Sequence, residues 1–360
     1  MVNSAGKTDL KSLILSDLQE RLRNLREPSY RAGQITDWLY KKRVDTIDKM
    51  TNLPQPLRKR LSETFSLGKI DVIRVLGASD TTRKFLFRLA DGSLIESVLI
   101  PASLALYGGR SDRRTICVST QVGCAYGCKF CASGLEGFSR NLSANEIIEQ
   151  IIAVERATGE KIDNIVFMGM GEPLANLENV LRAIRIINAE WGLSIGARHI
   201  TISTSGLAPQ IRKLSEERLQ IRLAVSLHGA TDEVRNRIMP INRRYNIETL
   251  LSACDYYNAH KKQRLTFEYI LIANVNDSGD QARLLSRHAH RLSAKVNLIP
   301  YNSVSGLPWA RPSEKRQEKF LSILRAEKIP VTLRREKGHD INAACGQLRL
   351  QTEREALGGG

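Results

Sequence analysis

From Thr115 onward the chain alternates strand-like apolar runs with helix-like amphipathic segments, and this alternation restricts its fold more than any other feature. RTICVST is followed by SANEIIEQIIAVERAT, DNIVFMGM by LENVLRAIRIINAEW, and HITISTS by APQIRKLSEER. IRLAVSL then precedes DEVRNRI and NIETLLSACDYYNAHK, RLTFEYILI precedes DQARLLSRHAHRL, and AKVNLIPY precedes EKRQEKFLSILRAE, before PVTLR as a last strand. Strands apolar on both faces, each followed by a helix, pair in parallel beneath a helical cover. Six such units predict an α/β fold whose parallel sheet curves into a partial (β/α)6 barrel. Ser143 and Glu146 have the spacing of a capping box at the start of the first barrel helix.

In such a barrel the chemistry lies at the carboxyl ends of the strands. The polar irregularities of this chain fall there. GCAYGCKFCASG follows RTICVST, Gly171-Glu172-Pro173 follows IVFMGM, Ser203 closes HITIS, Ser226 and His228 end LAVSLH, and Asn302 follows VNLIPY. Each alone has an ordinary structural reading, a turn for the glycine and proline or a satisfied loop histidine for His228. Gathered at one end of a sheet they predict a binding site.

Cys124, Cys128 and Cys131 form CxxxCxxC, three thiolates for one metal centre. A structural zinc site is closed by four ligands and a cubane iron–sulfur cluster usually takes four cysteines. Three leave a metal open to a ligand that is not protein. Of the other cysteines, Cys117 lies just upstream, Cys345 is isolated, and Cys254 falls with Leu250 and Leu251 on the apolar side of a helix, as a core residue would. A disulfide framework is not the expected use of cysteine in a reducing compartment.

The first hundred residues differ in character. LKSLILSDLQERLRNL and RAGQITDWLYKKRV read as amphipathic helices of a small helical domain. Arg21, Arg23, Arg26, Arg31, Lys41, Lys42, Arg43, Arg58, Lys59 and Arg60 cluster there, interleaved with Tyr30, Trp38 and Tyr40. This is the composition of a surface that touches RNA phosphates and bases, or of a solvated charged face. Short β-rich runs, GKIDVIRVLGASD, RKFLFRLADG and SLIESVLIP, follow as a small antiparallel element. Ala102 to Arg114 reads as a linker or flexible loop, and REALGGG as a tail.

Charge sets the partner class. Fifty-four Lys and Arg against 38 Asp and Glu give +16 over 360 residues, which favours a polyanion, nucleic acid before an anionic membrane. No apolar run approaches the roughly 20 residues that span a bilayer, and MVNSAGKTDL lacks the pattern of a signal peptide. A cytoplasmic protein is expected.

The cysteine triplet after the first barrel strand, with a GEP turn after the second, resembles the radical S-adenosylmethionine superfamily. That resemblance implies one [4Fe-4S] cluster on Cys124, Cys128 and Cys131, with S-adenosylmethionine on the open iron. It also implies that Gly171, Glu172, Ser203, Ser226, Leu227, His228 and Asn302 line the cofactor site, and that a 5'-deoxyadenosyl radical is formed. Within the superfamily, YRAGQITDWLY, IESVLIP, ICVSTQVGC, MGMGEPL, SLH, MPINRRYNIETLL, VNLIPYN and HDINAACGQL resemble the RlmN family of dual-specificity RNA adenine-C2 methyltransferases.

C2 of adenine lies between two ring nitrogens and is a poor nucleophile, so a carbon radical suits it better than a sulfonium methyl group. By the resemblance, Cys345 accepts a methyl group from one S-adenosylmethionine, and the radical from a second removes a hydrogen from it. The thiomethylene radical adds to the base. Glu96 then takes the C2 proton, and Cys117 resolves the RNA–protein link by forming a disulfide with Cys345. The implied substrates are an adenosine of the peptidyl transferase centre in 23S ribosomal RNA and one beside the anticodon of tRNA. An electron donor such as flavodoxin or ferredoxin is implied, with no membrane partner, in a monomer.

The domains expected are a helical accessory RNA-binding domain over 1–66, a β-rich connector carrying Glu96 over 67–109, a radical SAM barrel over 110–340 and a C-terminal segment carrying Cys345 over 341–360. Arg110, Arg113, Arg114, Arg243 and Arg244 are candidates for the barrel rim. Two other readings stay open. The sister Cfr group methylates C8 of the same ribosomal adenosine with the same cysteine set. A noncatalytic RNA-binding module could instead hold zinc on Cys117, Cys124, Cys128 and Cys131.

Overall fold

The computed structural model describes residues 7–77, 82–101, 113–134, 137–304, 306–334, 348, 349 and 352. Cys345, Arg110, the segment 102–112 and the tail therefore lie outside the described residues.

Near the amino terminus, helices α1 (Leu15–Asn24), α2 (Tyr30–Thr36) and α3 (Gln55–Thr64) each bury one apolar stripe: Leu18 and Leu22, Ala32 and Ile35, Leu57 and Leu61. Helix α2 runs into one π turn, Asp37–Lys41, that carries Leu39 and Tyr40 inward. Thr8–Asp9 and Phe65–Ser66 pair in parallel and bring the two ends of this region together.

Strands β1 (Asp71–Gly77), β2 (Arg83–Arg88) and β3 (Leu94–Ile100) form an antiparallel meander. The β-rich connector is not a separate small element. β3 pairs antiparallel with the first barrel strand, β4 (Thr115–Cys117), so the meander extends the barrel sheet. The reason is burial: β3 is apolar and covered along most of its length, and such a strand is stable inside a sheet but hazardous at an exposed edge. Edge strand β1 exposes Val72, Ile73 and Val75; a bulge between Val72 and Arg74 interrupts its register with β2.

After β4 come a hairpin, β5 (Gln121–Gly123) with β6 (Phe138–Asn141), and then α4 (Ala144–Thr158). The expected capping box is present, with Glu146 N donating to Ser143 Oγ at 3.3 Å and Ser143 N donating to Glu146 Oε2 at 2.8 Å. The remaining units are β7 (Asn164–Phe167) with α5 (Leu177–Asn188), β8 (Ile200–Thr204) with α6 (Ala208–Glu216), and β9 (Arg222–Ser226) with α7 (Asp232–Ile238) and α8 (Ile247–Lys261). They are followed by β10 (Thr266–Leu271) with α9 (Gly279–Arg291), β11 (Lys295–Pro300) with α10 (Glu314–Ala326), and β12 (Val331–Leu333).

The strand order of this ten-stranded sheet is β12-β11-β10-β9-β8-β7-β4-β3-β2-β1, parallel from β12 to β4. The linear order leaves the barrel open. Ile202, Val225, Phe267, Val296 and Leu298 of the strands are buried with Ile147, Ile151, Ile184 and Leu285 of the helices, each worth about 1.5–3 kcal/mol of transfer free energy. Among the described residues no helix is long and apolar enough to cross a membrane.

The helical region packs directly onto the barrel. Lys11 forms a fully buried ion pair with Glu149 of α4 and donates to Gly68 O at 3.0 Å. Arg43 pairs with Glu155, Arg182 of α5 pairs with Asp17, and Asn145 N donates to Ser12 Oγ at 3.1 Å. Tyr40, expected on an RNA-facing surface, is buried, with its ring 6.0 Å from that of Trp191. Arg60 pairs with Glu27, and Lys42 lies over the ring of Trp38 at 3.6 Å.

Arg113 and Arg114 do not lie on the barrel rim. They immediately precede β4 and so stand at the amino end of the sheet, opposite the predicted site, where Arg114 pairs with Glu160. Arg243 and Arg244 are exposed beyond the carboxyl end of β9.

Candidate active site

The loop between β5 and β6 carries the three cysteines, and the backbone closes it tightly. Cys124 N donates to Gly137 O at 2.8 Å. Gly123 has φ +74°, and a Cβ there would come within 2.0 Å of Gly137 O. Lys129 N donates to Ile238 O at the end of α7 at 2.8 Å, while Trp309 Nε1 donates to Lys129 O at 2.7 Å. The loop is thus anchored from both flanks of the barrel mouth.

A cavity of about 280 Å³ opens beneath it at the carboxyl ends of the strands. Its wall includes Cys124, Cys128, Cys131, Gly171, Glu172, Ser203, Ser226 and His228, so eight of the candidate site residues meet at one place. Gly171 reaches the wall with φ +96°, and any Cβ would lie 2.5 Å from that of Gln121. The adjoining Glu172 N donates to Gln121 Oε1 at 2.9 Å. Its carboxylate accepts from Leu174 N at 3.0 Å and from Ser205 N and Oγ, each at 2.7 Å. Burial raises the pKa of Glu172, and those hydrogen bonds oppose the rise.

His228 has φ +54° and sits edge-on to Phe130, ring centres 5.0 Å apart. Its Nδ1 accepts from Ile270 N at 3.1 Å. Burial, and then the positive charge of Arg235, push its pKa down to about 3. The ring is therefore neutral with its proton on Nε2, a hydrogen-bond donor rather than a cation.

Four described candidates are not part of that wall. Leu227 is buried, its N–H given to Glu268 O at 3.0 Å and its carbonyl taken by Arg235 Nε at 2.9 Å. Asn302 follows β11 but is not part of the cavity wall; its buried Oδ1 has no hydrogen-bond partner among the described residues. Cys117 and Glu96 are on neighbouring strands: Cys117 is opposite Val98, two residues from Glu96. Glu96 is buried, with Lys84 Nζ 2.9 Å from Oε2 and Arg349 N donating to Oε1 at 2.5 Å. Cys345 lies outside the described residues.

The structure adds residues that sequence reasoning passed over. Glu268 lines the cavity from β10; Asn297 Nδ2 donates to its Oε1 at 2.9 Å, and its buried Oε2 has no partner among the described residues. A carboxylate inside the apolar run TFEYILI is a signal that could have identified it. Tyr126, Ser205, Met239 and Arg334 complete other parts of the wall.

The donor set suits a multi-iron cluster. Desolvation pushes the Cys124 thiol up to about 11 and that of Cys128 well above its usual value, so a metal centre must displace the protons. Among the described residues no three His, Cys, Asp or Glu side chains converge as a single metal ion would require. Three cysteines lining one cavity supply three of the four ligands that a cubane cluster takes and leave one iron open. The unpartnered Glu268 oxygen and the cavity beside the cysteines leave room and polar contacts for a second ligand.

The chain is similar to known proteins along most of its length. Residues 118–283 match the radical SAM superfamily and residues 8–67 match the ribosomal RNA large subunit methyltransferase N-terminal domain. The chain is 55% identical over 329 residues to a probable dual-specificity RNA methyltransferase RlmN of Akkermansia muciniphila, covering 91% of this chain and 92% of that protein. It is 54% identical over 360 residues to a relative of the same description, RlmN 3, from Opitutus terrae, covering 97% and 96%. A crystal structure of a radical SAM methyltransferase from Sphaerobacter thermophilus superposes with a TM-score of 0.87 at 45% identity, covering 94% of this chain and 98% of that one.

Proposed function

We infer the chemistry of this site from one premise: the chain belongs to the RlmN family of dual-specificity RNA methyltransferases, within the radical SAM superfamily. It is a radical SAM enzyme that methylates RNA. The reaction assigned to it is methylation of adenine C2 in 23S ribosomal RNA, with tRNA as a second substrate. The observation that carries this reading is the meeting of three cysteines with Glu172, Ser203, Ser226 and His228 around one cavity.

A [4Fe-4S] cluster and S-adenosylmethionine bound there supply a 5'-deoxyadenosyl radical. Cys124, Cys128 and Cys131 hold the cluster. Glu172, fixed by Ser205 and Leu174, is a rigid acceptor for the cofactor's ammonium group, and neutral His228 offers a donor. Gly171 lets the backbone approach closely. Ser203 and Ser226 offer hydroxyls, 3.4 Å apart, on neighbouring strands. Leu227 shapes the wall through its backbone, and Asn302 contributes the amide oxygen that has no partner among the described residues.

Cys345 carries the methyl group in this reading, Glu96 takes the C2 proton, and Cys117 releases the product by forming a disulfide with Cys345. The contact between Arg349 N and Glu96 supports it, because it brings chain just downstream of Cys345 onto the strand beside Cys117. The Lys84 ammonium holds the Glu96 carboxylate from the opposite side. Exposed Arg21, Arg23, Arg26, Lys41, Lys42 and Lys59 of the amino-terminal region, with Arg243 and Arg244 near the mouth, would engage RNA phosphates. The target base must leave its stack to reach the cavity, at a cost of a few kcal/mol. The protein would act in the cytoplasm, as a monomer supplied with electrons by a flavodoxin or ferredoxin.

The deciding experiment is anaerobic purification with iron and sulfide analysis, then methylation of 23S ribosomal RNA and of tRNA and mass spectrometry of the digested products. Four irons per chain and 2-methyladenosine are expected. Zinc in a colourless protein would defeat the reading, and 8-methyladenosine would move the chain to the Cfr reaction.

A further inference from the structure

Arg235 of α7 has no solvent exposure. Its guanidinium donates to Leu227 O at 2.9 Å, Ser205 O at 2.5 Å, Ser226 O at 3.3 Å and Asn242 Oδ1 at 2.9 Å. Every acceptor is neutral. The neighbouring Asp232 carboxylate is turned to Asn242 Nδ2 at 2.9 Å and Ile247 N at 2.8 Å. Among the described residues no carboxylate lies within ion-pair distance of Arg235. A buried charge with no counter-ion is costly, several kcal/mol even after relaxation. Burial lowers its pKa to about 10, which still leaves it charged at neutral pH.

The place of this charge is informative. Ser205 and Ser226, whose carbonyls it holds, are both part of the cavity wall, so the guanidinium lies directly behind that wall. Cys128 is part of the same wall as Ser205 and Ser226. A cluster held by three thiolates brings net negative charge to the same place and gains more on reduction. The protein without its cluster thus holds a buried cation that has no ion-pair partner among the described residues, beside a site whose occupant is an anion.

We propose that Arg235 is a positioning residue and the built-in counter-ion of the cluster: its fixed charge offsets the cysteine thiolates and favours one-electron reduction, while its fork of donors pins the ends of β8 and β9. In that step the oxidised cluster takes one electron from a reduced one-electron carrier protein, and Arg235 neither gains nor loses a proton. An arginine suits the position because it can hold three carbonyls at once and keeps its charge when buried.

The proposal rests on the reading of Cys128 as a cluster ligand; wild-type protein without four irons would defeat that reading, whereas the variants test the charge alone. Full-length R235Q and R235K are prepared anaerobically beside wild type and checked by circular dichroism and iron content. The midpoint potential is then measured by mediated titration with electron paramagnetic resonance. R235Q is expected to lose roughly tenfold in its reduction equilibrium, a shift of about 59 mV to more negative potential for one electron. R235K, titrated at a pH low enough for the lysine to stay protonated, is expected to stay at the wild-type potential. A folded R235Q that no longer retains iron, with R235K still loaded, supports the same conclusion through binding. An unchanged potential in R235Q, or a shift in R235K as large as that in R235Q, would overturn it. So would a folded R235K unable to hold iron, since the residue would then act through shape.

Discussion

The seam between the helical region and the barrel differs from the barrel mouth in how buried charge is handled. At the seam, acids and bases meet: Lys11 with Glu149, Arg43 with Glu155, Asp17 with Arg182. At the mouth, among the described residues, Glu172 has backbone and hydroxyl donors, Glu268 has one amide with the Arg334 charge nearby but not in ion-pair contact, and Arg235 has carbonyls and an amide. At the seam each of these charges has an opposite charge within the chain. At the mouth the described residues supply no such ion pair, and buried ionic groups in that condition are costly unless something else completes them.

Four substitutions probe that contrast. Cys128→Ala has the largest expected effect: loss of the four-iron cluster and of all RNA methylation, with the fold intact by circular dichroism. Iron retained at four per chain would remove Cys128 from the mouth's ligand set. Cys345→Ala is expected to abolish methylation while iron stays at the wild-type level, and normal 2-methyladenosine from that variant would end its role as methyl carrier.

At the seam, Lys11→Met strands Glu149 without its partner and should cost about 3–5 kcal/mol in urea unfolding. Adding Glu149→Leu should recover most of that loss. If Lys11→Met alone were neutral, the seam would not be the self-contained unit described above. Glu172→Gln makes the converse point. It removes a mouth charge that has no ion pair among the described residues, but it also sets an amide N–H against donors that the carboxylate accepted, so stability should fall by about 1–3 kcal/mol. Binding of S-adenosylmethionine to the cluster-loaded protein should weaken by about ten- to 150-fold, the loss of one charge-assisted hydrogen bond. Calorimetry that found unchanged affinity would remove Glu172 from the cofactor's contacts.

The barrel was legible in the sequence because parallel strands covered on both faces leave runs such as HITIST and IRLAVSL, and because Ser143 and Glu146 cap their helix as local chemistry requires. The candidate site was legible for the same reason: a polar residue ending such a run stands out. Partner choice was not. Nothing within LIESVLI says that it pairs with Thr115–Cys117 rather than forming a free-standing meander, since pairing is a property of two strands and not of one. Tyr40 followed an amphipathic pattern, but the π turn rotates it into the barrel's flank. Arg113 and Arg114 were misplaced by sign of direction, because residues that precede a parallel strand lie at its amino end. Arg235 gave no local signal at all. In DEVRNRI it looks like any charge on a helix surface, and only the packing of α7 under the strand ends turns it inward.

The Lys11–Glu149 pair also sets a schedule for biosynthesis. The two residues are 138 positions apart, so at ordinary translation rates roughly 7–28 s separate their emergence. During that interval the helical region has been made but its basic anchor has no acid to meet. Its docking is thereby tied to completion of α4, which makes the arrival of the first barrel helix the event that commits the nascent amino terminus.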